Sequence, residues 1–199
     1  MVKQFKEEVY PAICKRAREE GAQIFWCDET GLNTQEYYLR GYSPVGVTPT
    51  LLIPPKREKT NMISAISQSG KCRFMRYDTN MTQQLFISFM SQMIRHSKHK
   101  IFIIVDNLKV HHGKLVTEWI ERNKNKIEIF YTPSYAPEIN PDEYLNHILK
   151  KYVHSGILPR TRKELKSKIF KFMHNLQRNE VSIKNIFDHN NLLYLKNVA

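Results

Sequence analysis

Five consecutive apolar residues, Ile101-Phe102-Ile103-Ile104-Val105, constrain this chain more than any other segment. A strand with one wet face alternates apolar and polar residues, whereas a strand apolar throughout needs cover on both faces. Residues 101–105 therefore read as a central strand between two layers, and they end on an acid, Asp106. A second apolar run, Ile24-Phe25-Trp26-Cys27, reads as another buried strand and ends in Asp28-Glu29-Thr30-Gly31. Residues 61–67 and 72–77 pattern as a hairpin around Ser69-Gly70, and 127–131 as a further strand. Helical stripes appear in residues 3–20 (Phe5, Val9, Ile13, Ala17), and again at Leu85, Phe86, Phe89, Met90 and Met93, with Asn80 and Gln83 as a start signal. Others run through Leu115, Trp119 and Ile120, from Pro141 to Tyr152, and through Leu165, Ile169, Met173 and Leu176. Trp26 and Trp119 read as core. The aromatic stretch from Tyr37 to Val47 ends in a turn-rich Ser43-Pro44-Val45-Gly46.

Antiparallel strands first, then alternating strands and helices, predict a mixed sheet with helices on both faces. That order matches the α/β ribonuclease-H-like fold, a mixed five-stranded sheet flanked by helices; a fold alone does not fix a function. A length of 199 residues suits one domain, and 41% hydrophobic residues argue against disorder. Cys14, Cys27 and Cys72 include no CxxC pair, so neither a zinc knuckle nor a disulfide framework is supported. The chain reads as a reduced, intracellular protein without a membrane span or signal peptide. Its net charge of +12 fits either a polyanionic partner, whose phosphates Lys and Arg would neutralise, or a merely basic surface.

Asp28 and Asp106 each close an apolar run, and acids at the ends of adjacent buried strands can converge on one crevice. A single acid in such a place is often a turn former or cap; two together favour a site. Glu143 is open in the same way. Asn140-Pro141-Asp142-Glu143 is a helix start with Asn140 as N-cap, Pro141 at N1 and Glu143 at N3, the reciprocal position of a capping box. Glu143 also shares a helix face with His147 and Lys150, opposite Leu145, Ile148, Leu149 and Tyr152.

Taken together, Cys27-Asp28-Glu29-Thr30-Gly31, then Val105-Asp106-Asn107 with His111 and His112, then Tyr135 through Glu143 resemble the bacterial insertion-sequence transposases of the mariner-like superfamily. Glu143 follows Asp106 by 37 positions, within that family's habit, and Tyr42 to Gly46 is similar to its aromatic-Pro-x-Gly segment. The likeness covers nearly the whole chain. Ala136 stands where Ser is usual, Asp142 where an aliphatic residue commonly precedes the Glu, and Leu145-Asn146 where a Trp often falls. The family's N-terminal helix-turn-helix region has no counterpart before Met1. The resemblance thus implies a single catalytic domain over 1–199, with 1–20 a leading helix and 157–199 a helical tail.

It further implies a cut-and-paste transposase. Two Mg²⁺ ions, for which Mn²⁺ can substitute, would be held by Asp28 as bridging ligand, by Asp106 and by Glu143. They would serve hydrolysis at transposon ends and strand transfer into target DNA. A homodimer is the implied active form, and the bacterial cytoplasm, at the nucleoid when bound to DNA, the implied location. His111 and His112 lack a third ligand at zinc spacing, so they read as polar or DNA-contacting residues, with Lys109, Lys114, Lys150 and Lys151 as backbone contacts. The rival readings are an inactive or domesticated DNA-binding remnant and another ribonuclease-H-like nuclease.

Overall fold

A computed structural model describes residues 1–35, 42–48, 50 and 54–196, so Tyr37 and its neighbours through residue 41 lie outside the described residues. The chain opens with α1 (Val2–Gln4), a π-helical turn over Phe5–Val9, and α2 (Tyr10–Glu19). Pro11 explains the turn: its ring crowds the carbonyl four residues back and it has no N–H to donate, so Tyr10 N–H bonds to Phe5 O instead. The extra residue rotates the stripe, burying Phe5, Tyr10, Ile13 and Ala17 and leaving Val9 exposed, against the expectation of even four-residue intervals.

Five strands follow: β1 (Gln23–Asn33), β2 (Lys59–Ile66), β3 (Cys72–Tyr77), β4 (Ile101–Val105) and β5 (Ile127–Tyr131), in the sheet order β3-β2-β1-β4-β5. The β1–β2 and β2–β3 pairs are antiparallel; β1–β4 and β4–β5 are parallel. The expected mixed sheet is present, with β4 buried at every position between β1 and β5. One boundary differs from the sequence reading. β1 does not stop at Asp28 but runs five residues further, because β2 continues to pair with it from Asp28↔Ser64 to Asn33↔Lys59. Its pairing with β4 ends earlier, at Trp26↔Ile104. Asp28 therefore sits where β1 has lost its parallel neighbour, beside the end of β4.

Alternation along the strands divides the core. Trp26, Met62, Ile66, Phe102 and Ile104 face a layer that includes α2, α5 (Pro141–Val153) and α6 (Arg162–Gln177). Phe25, Cys27, Ile63, Ala65, Ile103 and Val105 face α3 (Gln83–Arg95) and α4 (Lys114–Arg122). Thr82, whose side chain accepts from Leu85 N–H, caps α3 in place of the expected Asn80 or Gln83. The tail beyond α6 adds α7 (Glu180–Ile186) and a 3-10 turn over Asn190–Leu195, and no described helix is long and apolar enough to cross a membrane.

Candidate active site

The C-terminal end of β4 is the meeting point. Asp106 leaves the strand there, and its Oδ1 accepts from Leu108 N–H at 3.2 Å, turning the chain away. Its side chain is 42% exposed, so one edge of the carboxylate remains open. Asp28 comes to the same place from β1, on the face that Trp26 shares. Asn146 of α5 donates to Asp28 Oδ2 at 2.8 Å. Burial holds the Asp28 carboxyl well above the usual carboxylate range, and the acids Glu143, Asp142 and Glu29 add to that push against the Asn146 hydrogen bond.

Glu143 is delivered by a local device. Asn140 Oδ1 accepts from Asp142 N–H at 3.0 Å and caps α5, while its Nδ2 donates to Cys27 O at 3.1 Å. The start of the helix is thus tied to the residue preceding Asp28. Asn140 N–H bonds to Pro137 O at 3.0 Å, which supplies the donor's partner that a capping box would have drawn from Glu143. Glu143 is left half-buried beside the cleft, its carboxyl raised by burial, pulled down by Lys150 and pushed up by Asp106.

The three carboxylates line one cavity of about 380 Å³, walled by Asn107, Leu108 and the loop of residues 132–137. Tyr135 stands fully exposed at its rim with a φ of 58°. A non-glycine residue in that left-handed region is strained, and such strain clusters at functional sites. Among the described residues, no lysine or arginine is hydrogen-bonded to Asp28, Asp106 or Glu143; their polar partners are Asn146, His111 and backbone N–H groups. Among the described residues this is a cluster of hard oxygen donors in which only Asp106 touches a basic side chain, the buried His111, and such a donor set suits a divalent cation such as Mg²⁺.

Asp142 points the other way. It is wholly buried against the sheet, where Ser64 Oγ donates to its Oδ2 at 2.6 Å, and its Oδ1 has no partner among the described residues. Burial keeps this acid well above the carboxylate range. The inner seam of α5 is therefore Asp142, Leu145, Asn146, Leu149 and Val153, while Ile148, expected on that seam, is 44% exposed.

His111, read from the sequence as a polar or DNA-contacting residue, takes the first of these places: it is 1% exposed, under the Phe86 ring and on the α3 side of the sheet. Its Nε2 lies 3.0 Å from Glu29 Oε1, and its Nδ1 lies 3.1 Å from Asp106 O and 3.2 Å from Asp106 Oδ1. Burial works against its charged form, but the bonds to Asp106 and Glu29 prevail and raise its pKa to about 10. No phosphate reaches a ring enclosed in this way. Ligand-type atoms of Glu29, Asp106 and His111 lie within 4.8 Å of one another, a spacing these hydrogen bonds already explain. His112 is exposed, stacked on Tyr131 at 4.1 Å and 3.1 Å from Asn107 Oδ1. Lys109 and Lys151 are exposed and Lys150 is partly so.

Sequence reasoning passed over Glu29 and Asn146. The signal for Glu29 was its place on β1 one residue after Asp28, which alternation sends to the opposite face. For Asn146 it was the helical spacing from Asp142.

Fold and site define a class: a ribonuclease-H-like domain with an acidic cleft at the end of its central parallel strands. Within that class, the model of the DDE superfamily endonucleases matches residues 23–166, and the chain belongs to that family. No curated protein sequence matches it directly. Among solved structures, it is similar over its whole length to the Mos1 strand transfer complex (TM-score 0.67, 14% identity). It matches the mariner Mos1 paired end complex with Mg over 98% of its residues (TM-score 0.68, 15% identity). In both cases it covers 61% of the other chain. The catalytic domain of Mos1 mariner transposase matches at TM-score 0.61 and 13% identity, covering 96% of this chain and 92% of that one. At such identities the likeness establishes the fold.

Proposed function

We propose that this chain is the catalytic domain of a cut-and-paste DNA transposase, with residues 1–199 as one unit and Asp28, Asp106 and Glu143 as its metal-binding acids. The observation that carries the reading is the convergence of these three carboxylates on one cavity, with no lysine or arginine hydrogen-bonded to them among the described residues. One related complex holds a left transposon end and two related structures hold Mg, which supports DNA and Mg²⁺ as partner and cofactor here. The paired-end complexes of that relative likewise support a homodimer as the active form.

When bound, two divalent cations would activate water, and later the freed 3′-hydroxyl, for attack on phosphorus, and would stabilise the leaving oxygen. Asp28, which would help hold both cations, is oriented by the Asn146 Nδ2 bond to its Oδ2. Asp106 presents its open edge from the end of β4, and Asn140 fixes the height of Glu143 by tying α5 to Cys27 O. Lys109, His112 and Lys151, exposed, and Lys150, partly so, supply donors on loops and helices near the cleft for the DNA backbone.

A nicking assay on duplex DNA carrying the element's ends tests the assignment, with a binding arm in parallel. Glu143→Gln should abolish Mg²⁺-dependent cleavage while duplex binding, steeply salt-dependent, persists. Asp142→Asn should keep cleavage within about threefold of the parent, because an amide reproduces the shape of a buried carboxyl whose proton affinity burial raises. The reverse pattern would give the third-acid role to Asp142. Cleavage unaffected by either substitution would end the two-metal reading.

A further inference from the structure

We infer that Glu29 and His111 form a positioning relay through the sheet that sets the orientation of Asp106, and through it the affinity of the cleft for its cation. The inference rests on the metal-binding role proposed for Asp106 and adds two residues that stand outside the cleft.

The geometry is specific. Asp28 and Glu29 are neighbours on β1, yet Asp28 faces the cavity and Glu29 faces the α3 layer. Glu29 is largely covered, with 13% of its side chain exposed, and its Oε1 meets His111 Nε2 at 3.0 Å. The far nitrogen of the ring reaches both the carbonyl and the carboxylate of Asp106, at 3.1 and 3.2 Å. Phe86 packs on the imidazole with ring centroids 4.4 Å apart, and Tyr131 Oη donates to His111 O at 3.3 Å. The ring is therefore held at both nitrogens and on one face by Phe86, with its backbone fixed by Tyr131, and Asp106 is the one acid of the three standing on a loop rather than a strand or helix. A carboxylate on a loop needs an external hold to present a fixed edge, and one oxygen engaged by an imidazole leaves the other to face the cleft. Partners of this kind commonly change metal affinity by about 10–100-fold when removed.

The side chain of asparagine places its N–H₂ near the position of the imidazole Nδ1, whereas that of glutamine reaches toward Nε2. His111→Asn should therefore keep the bond to Asp106, and His111→Gln should lose it while still reaching Glu29. Mn²⁺ binding to the DNA-free chain, followed by electron paramagnetic resonance, is the primary readout. His111→Gln and Glu29→Ala should weaken binding about tenfold or more, Glu29→Gln should stay within about threefold of the parent, and His111→Asn, which keeps the bond to Asp106 but loses Glu29, should fall between them. Bound Mn²⁺ should show no nitrogen coupling in spin-echo spectra. Unchanged Mn²⁺ binding in whichever of His111→Gln and Glu29→Ala retains the fold overturns the relay, as does nitrogen coupling, which would make His111 a ligand. Failure of the parent reading is distinct: it appears as loss of binding in neither Asp28→Asn nor Glu143→Gln.

Discussion

Asp28 and Glu29 are consecutive in the chain, but the two layers of helix around the sheet give them opposite surroundings. On the α5 side, Asp28 lies among other acids: Glu143 and Asp142 raise its proton affinity, and neutral Asn146 is its side-chain partner. On the α3 side, Glu29 meets an imidazole it can pair with, and the pair is closed against solvent. One face concentrates carboxylates with no lysine or arginine hydrogen-bonded to them among the described residues, which suits a cation site before its cation arrives. The other face pairs its acid with an imidazole and thereby holds a neighbour in place. Carboxylates of one type, one residue apart, thus divide into a binding group and a supporting group through strand alternation and the choice of partner.

The largest expected effect breaks the comparison at cleavage. Asp28→Asn should lower the cleavage rate beyond the roughly 100-fold limit typical for a ligand's hydrogen-bonding partner, while Glu29→Gln, which still accepts from His111, should stay within about tenfold. Single-turnover nicking at saturating Mg²⁺ measures both. Equal losses would mean that the two faces do not differ in role.

Stability should separate the faces with opposite signs. A buried carboxyl whose folded pKa is raised contributes its stability below the unfolded pKa and loses it as pH rises through the folded one. The contribution of Asp28 to the stability of metal-free protein should therefore fall as pH rises above about 4. Asp28→Asn should remove part of that loss and raise the Tm of metal-free protein at pH 7, whereas Glu29→Ala should lower it by leaving a buried ring nitrogen unpaired. Each kcal/mol corresponds to roughly 2–4 °C in a domain of this size. A melting curve in chelator, with the same shift direction for both variants, would contradict the contrast.

How much of this was legible in the sequence differs between the two faces. The uniform apolar run 101–105 announced a central strand, and the runs ending at Asp28 and Asp106 announced their meeting, because a buried strand has few alternatives. The end of β1 was not legible: Glu29 to Asn33 is polar enough to resemble a turn, and only its pairing with β2 makes it strand. The roles of Asp142 and Asn146 were hidden for a similar reason. Helical spacing puts them on the inner seam of α5, but polar residues are rarely assigned to a seam unless their partners, Ser64 and Asp28, are known. His111 read as a polar or DNA-contacting residue beside His112; the ring of Phe86 and the far face of the sheet separate the two histidines.

The smallest expected effect sharpens the comparison through protons. A carboxyl held above the usual range must release its proton before it can bind a cation. Mn²⁺ affinity should therefore rise with pH, with proton release that buffers of different ionisation enthalpy reveal in titration calorimetry. Asp28→Asn should reduce that release and Glu29→Gln should leave it unchanged.

The central claim, that the α5 face is the cation site, is tested most directly by anomalous scattering from crystals soaked in Mn²⁺. The account predicts anomalous peaks in the cavity, bounded by the carboxylates of Asp28, Asp106 and Glu143, and none on the far side of Asp106. A peak centred among Glu29, Asp106 and His111, with the cavity empty, would contradict it.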